Sequence, residues 1–239
     1  MKKISDLKIK IFADGADKTS MLKLNSIDYI KGLTTNPTLM KKAGIKDFKS
    51  FAMGILSEIK EKPISFEVFS DDFEEMEDQA LEIASWAPNV YVKIPITNTK
   101  NIPCHKIVKK LSDREIKLNI TAIMNLDQTT KVLQYLNPKV ASYISIFAGR
   151  IADTGRDPIP LMANVVNLLK KSHPKSELIW ASPREILNIF QADAINCHII
   201  TVTKDILKKI NLVGYSLETY SLDTVKMFYS DAREAGYKI

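Results

Sequence analysis

A single lysine interrupts the apolar run "NVYVKIPITN", which extends from Asn89 to Asn98. Burying an ammonium in a hydrophobic strand is costly unless the group is paired or loses its proton. Two interpretations follow. Lys93 either faces outward and reaches water past its neighbours, or it is desolvated so that its neutral amine can attack a carbonyl. The other polar residues of the chain decide between these two interpretations of Lys93.

Polar residues of types that can handle a sugar recur at the ends of short apolar runs. They are Asp14, Thr34, Asn36, Glu67, Lys93, Asn119, Thr121, Ser145, Arg150, Ser182 and Arg184. A lysine amine condenses with a ketone to form a Schiff base, which acts as an electron sink. A carboxylate such as Asp14 or Glu67 then takes a hydroxyl proton during carbon–carbon cleavage. Amides and hydroxyls suit a polyol, and Arg150 and Arg184 offer forked donors to a phosphate.

Each of these residues also has an ordinary structural interpretation. Asp14 precedes a glycine and suits a turn, as does the run "TNPT". Asn119 and Thr121 can find hydrogen-bond partners inside the protein. Ser182 opens "SPRE", which predicts a capping box with proline at the first helical position. The N–H groups of such a helix would bind an anion, although the glutamate of the box would compete with it.

Eight short apolar runs rich in β-branched residues predict strands. They cover residues 8–14, 32–37, 64–69, 90–95, 117–123, 142–149, 177–182 and 198–202. Amphipathic helical patterns separate them, and strands that alternate with helices imply a parallel sheet. Eight such units in 239 residues predict an α/β protein with a (β/α)8 barrel, whose active site is built at the carboxyl ends of the strands. The first seven strands contribute the polar residues there.

An open, doubly wound sheet is the competing architecture. It is disfavoured because "FADGAD", after the first strand, lacks the glycine-rich phosphate turn of that fold. No linker or shift in composition divides the chain, which predicts a single barrel domain over residues 1–239. The stretch "LETYSLDTVKMFYSDAREAG" predicts a C-terminal helical segment at about 216–236 that packs across the barrel or against another subunit.

The charge and the cysteines of the chain indicate which partners and which cellular compartment to expect. The formal net charge of +6 is spread along the chain, without the aromatic-interleaved basic stripe of a nucleic-acid-binding surface, so no nucleic-acid partner is expected. Cys104 and Cys197 lie in no metal or redox spacing, which favours free thiols in a reducing compartment. The N-terminal apolar run is too short for a signal peptide, and no stretch approaches the ~18 apolar residues of a membrane span. These features predict a cytoplasmic protein without a membrane partner.

Seven motifs follow one another along essentially the whole chain: "FAD", "LTTNPTLM", "FEV", "YVKIP", "NITAI", "SIFAGRIAD" and "ASPRE". In these motifs the chain resembles the transaldolase family, particularly its compact, barrel-only members. The resemblance implies Schiff-base chemistry on sugar phosphates in the pentose phosphate pathway, with no cofactor and no metal. It also implies a homo-oligomer.

The resemblance assigns a role to each of the polar residues. It implies that Lys93 forms the Schiff base, that Asp14 is its acid/base partner, and that Glu67 and Thr121 position the catalytic water. On this interpretation Lys93 points into the barrel mouth with its charge suppressed by burial and by the arginines of the site. The residues implied to contact the dihydroxyacetone unit are Thr34, Asn36, Asn119 and Ser145, and those implied to bind the phosphate are Arg150, Ser182 and Arg184.

Two branches of such enzymes use the lysine differently. Fructose 6-phosphate aldolases carry glutamine where this chain has Glu67 and tyrosine where it has Phe147. A tyrosine hydroxyl can activate the water that protonates the released donor, whereas a phenylalanine leaves the enamine waiting for an aldose acceptor. The pair therefore favours a transaldolase that transfers dihydroxyacetone from fructose 6-phosphate or sedoheptulose 7-phosphate.

Three alternatives stay open at this point. The first is the aldolase-type lyase, and the second is a related enzyme with another sugar phosphate, because Ala122, Met124 and Ala148 replace residues that are commonly bulkier and could reshape the acceptor pocket. The third is a catalytically silent sugar-phosphate-binding barrel. It is disfavoured because the lysine, the acid and the phosphate-binding groups are all present.

Overall fold

The computed structural model describes residues 3–239, in which eight parallel strands close into a barrel in chain order. The strands are β1 (Lys10–Asp14), β2 (Ile30–Thr34), β3 (Ile64–Glu67), β4 (Val90–Pro95), β5 (Leu118–Ile123), β6 (Ser142–Ile146), β7 (Ser176–Trp180) and β8 (Ile199–Thr203). Because β8 pairs with β1, the sheet has no open edge. The predicted (β/α)8 barrel is thereby confirmed.

Helices follow every strand and cover the outside of the barrel. They are α1 (Lys18–Asn25), α2 (Pro37–Lys42), α3 (Phe48–Leu56), α4 (Phe73–Ser85), α5 (His105–Asp113), α6 (Leu126–Leu133), α7 (Ala148–Asp153), α8 (Ile159–Ser172), α9 (Leu187–Ala194), α10 (Lys204–Leu207) and α11 (Leu217–Glu234). Short 3₁₀ turns occupy Ile4–Asp6 and Lys208–Leu212.

Four strands end earlier than the sequence predicts. The run expected at 32–37 is a strand only to Thr34, because Asn36 and Pro37 begin α2: the Asn36 Oδ1 accepts the Leu39 N–H at 3.0 Å, and proline takes the first helical position. Likewise β3 ends at Glu67, β6 at Ile146 and β7 at Trp180. Residues that follow these strands therefore lie in loops or helix starts at the carboxyl-terminal mouth of the barrel.

The two sides of each strand differ in their partners. On β4, Val92 and Ile94 are fully buried in the large core between the strands and the outer helices, whereas Lys93 points the other way, into the barrel. A separate, smaller core fills the barrel itself. It consists of Phe12, Tyr143, Ile179, Ala181 and Ile199, with Tyr91 and Phe147 packed against it.

Aromatic rings form the centre of this inner core. Phe12 meets Tyr143 edge-on with 5.8 Å between ring centroids, and Tyr91 stacks on Tyr143 at 3.9 Å. The Phe12 ring occupies space that only a glycine leaves open, since a Cβ on Gly32 would lie 2.6 Å from it. Phe12, Tyr91 and Tyr143 each stand two residues before a predicted site residue on the same strand, so the rings lie beneath the barrel mouth.

The C-terminal helix α11 differs from the rest of the fold because none of its residues is buried. Its large apolar side chains include Leu217, Val225, Phe228 and Tyr229, which are 60–83% exposed. Within residues 3–239, no helix is both long and apolar enough to cross a membrane. Cys104 and Cys197 are buried free thiols, and burial raises the pKa of Cys104 to about 11.

Candidate active site at the barrel mouth

Lys93 is buried at the carboxyl-terminal end of the barrel, with 7% of its surface exposed. The β3–β4 register places Glu67 beside it, and the Lys93 Nζ lies 3.1 Å from the Glu67 Oε2. The ammonium also donates to the Thr35 carbonyl oxygen at 3.4 Å. The outward-facing interpretation of Lys93 is therefore wrong. Its polar contacts are the Glu67 carboxylate and the Thr35 carbonyl.

Asp14 faces the same space from the end of β1. Its Oδ1 accepts a hydrogen bond from the Thr34 hydroxyl at 2.9 Å, across the β1–β2 register. Burial raises the pKa of Asp14 and is the largest influence on it; the charge of Lys93 and the Thr34 hydrogen bond lower this pKa by less, and the Glu67 carboxylate raises it further. Asp14 is thus a carboxyl whose protonated form the fold favours, which suits a group that both gives and takes a proton.

Three side chains on β3, β5 and β6 form one hydrogen-bonded chain inside the barrel. The Ser145 hydroxyl donates to the Asn119 Oδ1 at 2.7 Å, and the Asn119 Nδ2 donates to the Ser65 hydroxyl oxygen at 2.9 Å. Asn119 is also the register partner of Lys93. The expectation that Asn119 finds partners inside the protein holds, and it leaves the Ser145 oxygen with lone pairs for a ligand.

Thr121 follows Asn119 on the same side of β5 and is 1% exposed. Among the residues that the structure describes, its hydroxyl has no hydrogen-bond partner. The next residue, Ala122, has φ of 61°, and the β5–β6 register shifts between Ile120 and Ile123. Such bulges redirect side chains at the ends of strands. Thr121 therefore presents an unpaired hydroxyl, contrary to its ordinary structural interpretation.

The two arginines lie on the side of the mouth formed by β6 and β7. The Arg150 guanidinium lies over the Phe147 ring, 5.4 Å from its centroid. Arg184 pairs with Asp153 through two hydrogen bonds, of which Nε to Oδ1 measures 2.9 Å. This pairing holds the pKa of Asp153 below its usual range. Asp153, rather than the adjacent Glu185, is the carboxylate that pairs with Arg184.

Ser182 does not cap a helix, so the predicted capping box is wrong. Helix α9 begins at Leu187, and the Arg184 and Glu185 N–H groups donate to the Asn188 side chain instead. Ser182 has φ of 62°, whereas an N-cap residue is extended. The loop packs so closely on the start of α7 that a Cβ on Gly149 would lie 1.5 Å from the Ser182 carbonyl oxygen. Only glycine permits this approach.

A cleft of about 420 Å³ opens beside the mouth. Asn36 and Glu67 line it together with apolar Met40, Phe48 and Phe69, so the carboxylate that contacts Lys93 is accessible from outside the barrel. Asn36 reaches this cleft from the start of α2, where its Oδ1 is used in capping and its Nδ2 stays available. Within residues 3–239, no group of three or more His, Cys, Asp or Glu side chains is arranged to hold a metal ion.

Two residues of the site are not among those predicted from the sequence. Ser65 lies two residues before Glu67 and faces the same side of β3, so the twofold period of the strand could have found it. Asp153 lies three residues after Arg150, one helical turn along α7, but nothing in the sequence indicates that it pairs with Arg184 on a different loop.

Comparison with known proteins gives this barrel its family. A family model described as "Transaldolase/Fructose-6-phosphate aldolase" matches residues 11–239. The chain belongs to the transaldolase/fructose-6-phosphate aldolase family. A protein of Dehalococcoides mccartyi named "Probable transaldolase" is 35% identical over 202 residues, which cover 84% of this chain and 90% of the relative. Another with that name, from Thermoanaerobacter sp., is 33% identical over 97% of this chain and all of the relative.

These names indicate that the chain is a transaldolase-type enzyme. Among solved structures, a dihydrodipicolinate synthase family protein from Coccidioides immitis matches 98% of this transaldolase-family chain and 80% of its own, with a TM-score of 0.58 and 10% identity. At this identity the likeness concerns the barrel fold alone.

The raised pKa of Asp14 predicts a pH-dependent cost to stability. Folding favours its protonated form, so the ionised carboxylate destabilises the protein at pH values above its pKa in the folded state. That cost disappears at pH values below 3.8, its ordinary pKa, where both states are protonated. Asp14→Asn should therefore unfold at a higher temperature than wild type at neutral pH, and the difference should shrink as the pH falls towards 3.8, measured by thermal denaturation.

Asp47→Asn is the matched control. Asp47 caps α3, and hydrogen bonds from the Ser50 side chain and backbone lower its pKa, so that folding favours the ionised form. This variant should gain no stability at neutral pH. A lower unfolding temperature for Asp14→Asn at neutral pH, or a difference independent of pH, would contradict the assignment.

Proposed function

We propose that this chain is a transaldolase that moves a dihydroxyacetone unit from a ketose phosphate to an aldose phosphate through a Schiff base on Lys93. The donors are fructose 6-phosphate or sedoheptulose 7-phosphate, in the pentose phosphate pathway. The observation that carries the proposal is the buried Lys93 ammonium, 3.1 Å from the Glu67 carboxylate at the mouth of the barrel. A lysine in this place is expensive to keep for packing alone.

The first step is attack of the Lys93 amine on the ketose carbonyl. An ammonium has no lone pair, so a proton must leave before the attack, and Glu67 is in contact with the nitrogen that loses it. The carbinolamine then loses water to give an iminium. Glu67 and Thr121 hold that water; Thr121 supports this role because its buried hydroxyl is unpaired among the described residues.

The second step breaks the carbon–carbon bond of the donor. Asp14 takes the proton of the hydroxyl next to the scissile bond, the bonding electrons flow into the iminium, and an aldose phosphate leaves. The remaining three-carbon enamine attacks the carbonyl of an acceptor aldose, and Asp14 returns its proton to the new alkoxide. The raised pKa of Asp14 supports this role because both protonation states are used.

The hydroxyls of the three-carbon unit are bound by the polar groups around Lys93, namely Thr34, Asn36, Asn119 and Ser145. Thr34 already orients Asp14, and Ser145 is held by Asn119. The phosphate binds at Arg150, Ser182 and Arg184. The guanidinium groups present N–H donors on the β6–β7 side of the mouth, and the phosphate competes with Asp153 for Arg184.

Phe147 favours transfer over simple cleavage. It precedes α7 with its ring under Arg150, and it offers no hydroxyl that could direct a water to the enamine. The alternative is an aldolase-type lyase, in which the enamine is protonated and dihydroxyacetone is released. The family description names both activities. A related transferase with another sugar phosphate is the further alternative.

The exposed apolar face of α11 supports a homo-oligomer. Leu222, Val225 and Tyr229 follow one another at helical spacing and are all more than half exposed. In this proposal, a second copy of the chain packs against this face of α11. We also propose a cytoplasmic enzyme that needs no cofactor or metal and binds neither nucleic acid nor membranes.

Reductive trapping tests the covalent step. Fructose 6-phosphate with borohydride should add a reduced three-carbon unit to Lys93, read by intact mass and peptide mapping, and Lys93→Arg should abolish the label. Lys62→Arg is the matched control and should keep the label: burial lowers the pKa of Lys62 and makes it the rival nucleophile, but its Nζ donates to the Ile27 carbonyl before the start of β2, at the opposite end of the strands from Lys93. A label on Lys62, or an unlabelled wild type, would refute the Schiff-base assignment.

Truncation of Arg184 tests the phosphate site. Arg184→Ala should raise the KM for fructose 6-phosphate by the equivalent of about 1.5–3 kcal/mol, because a charge-assisted contact is lost, and should affect the non-phosphorylated donor dihydroxyacetone much less. Arg156→Ala removes the same charge from the nearby loop, where Arg156 binds the Thr154 hydroxyl, and should leave both KM values unchanged. Equal losses with both donors would make Arg184 a structural residue.

Substitution on α11 tests the assembly. Phe228→Glu places a charge on the exposed apolar face and should convert the oligomer to a smaller species in light scattering coupled to gel filtration. Lys226→Glu changes a polar position of the same helix and should leave the mass unchanged. A wild-type protein that runs as a monomer would rule out the oligomer.

Acceptor dependence separates the transferase from the lyase. Because Phe147 provides no hydroxyl, fructose 6-phosphate alone should release glyceraldehyde 3-phosphate in about one enzyme equivalent and then stall. Added erythrose 4-phosphate should start turnover and yield sedoheptulose 7-phosphate. Phe147→Tyr should increase the release of free dihydroxyacetone without an acceptor. Rapid turnover of wild type in the absence of an acceptor would favour the aldolase alternative.

A further inference from the structure

Ser65 occupies a place inside the barrel that no role in the proposed reaction yet explains. It lies two residues before Glu67 on β3, is fully buried, and accepts the Asn119 Nδ2 hydrogen at 2.9 Å. Asn119 is on β5, so this bond passes in front of β4. Asn119 is the register partner of Lys93. Ser65 is the register partner of Tyr91, which stands two residues before Lys93. The bond therefore crosses directly beneath the Lys93 side chain.

The direction of the Asn119 amide decides what its neighbours can offer a ligand. With the NH₂ group towards Ser65, the Oδ1 faces β6 and accepts the Ser145 hydroxyl hydrogen at 2.7 Å. The Ser145 oxygen then has only lone pairs left for a ligand. If the amide turned over, Ser145 would have to accept from Asn119, and its own hydrogen would point at the ligand instead.

We propose that Ser65 is a positioning residue that anchors the Asn119 side chain beneath Lys93, so that the Asn119–Ser145 pair meets a hydroxyl of the dihydroxyacetone unit. The proposal deepens, and rests on, the function proposed for this site. A sugar hydroxyl donates its hydrogen to the Ser145 oxygen. Its own lone pairs then accept the second Nδ2 hydrogen of Asn119. Without Ser65, a buried N–H would be unpaired, and the Asn119 side chain would lose its anchor on β3.

The buried serine pair Ser142 and Ser176 provides a matched control. Their hydroxyls bond to each other at 2.8 Å between β6 and β7, and Ser142 is as deeply buried as Ser65. Ser142→Ala and Ser65→Ala therefore each remove a buried, hydrogen-bonded hydroxyl from a strand of the barrel, Ser65 on its inner side and Ser142 on its outer side. Both should lower the unfolding temperature, but only the Ser65 variant should change the reaction.

A double-mutant cycle with Asn119 tests the proposal. Ser65→Ala should lower kcat/KM for fructose 6-phosphate about tenfold, and Ser142→Ala should leave it unchanged. In the Asn119→Ala background, the same Ser65 change should cost no more than about twofold, because Ser65 acts through that amide. If Ser65→Ala does not fold, Ser65→Cys takes its place in the cycle, since sulfur is a much weaker acceptor of similar size.

Two results would overturn the positioning role: an equal loss from Ser65→Ala in both backgrounds, or an effect no larger than that of Ser142→Ala. Borohydride labelling of wild type by fructose 6-phosphate is measured in parallel. An unlabelled and inactive wild type overturns the proposed function and this inference together. A labelled, active wild type with a silent Ser65→Ala overturns this inference alone.

Discussion

The ion pair between Lys93 and Glu67 is the interaction on which the site depends. A buried ammonium must keep a partner, and the β3–β4 register supplies one by placing a carboxylate beside it at 3.1 Å. Two further acceptors complete its surroundings, the Thr35 carbonyl in direct contact and the Asp14 carboxylate within electrostatic reach. The same burial that makes the pair necessary also raises the pKa of Asp14. One constraint thus accounts for both the Lys93–Glu67 pair and the raised pKa of Asp14.

The fold could be predicted because it rests on periodicities that are local. Alternation along β4 sends Val92 and Ile94 to the outer core and Lys93 inward, and eight such runs with intervening helices leave little choice but a closed barrel. The positions of Asp14, Glu67 and Asn119 follow from the same alternation. The strand ends were less predictable, because Asn36 and Pro37 suit a turn, an extended segment or a helix start equally well.

What the sequence did not indicate depends on contacts between loops. Ser182 in "SPRE" has the composition of a capping box, yet it adopts a left-handed conformation, its carbonyl packs closely on Gly149, and Asn188 satisfies the N–H groups instead. The Arg184–Asp153 pair likewise joins two βα loops. Such partners are far apart in sequence, and no periodic pattern relates them.

Charge is distributed unevenly across the mouth, and this asymmetry can orient a substrate. On the β1–β4 side, one ammonium faces the two carboxylates Asp14 and Glu67, whereas on the β6–β7 side two guanidinium groups face the single carboxylate Asp153. Under the proposed function, this asymmetry orients a ketose phosphate, because its phosphate is attracted to the arginine side while its carbonyl reaches Lys93 on the other side. The aromatic layer of Phe12 and Tyr143 lies beneath the buried Lys93–Glu67 pair, whose charges act in a poorly screened space, whereas water screens the half-exposed Arg184–Asp153 pair.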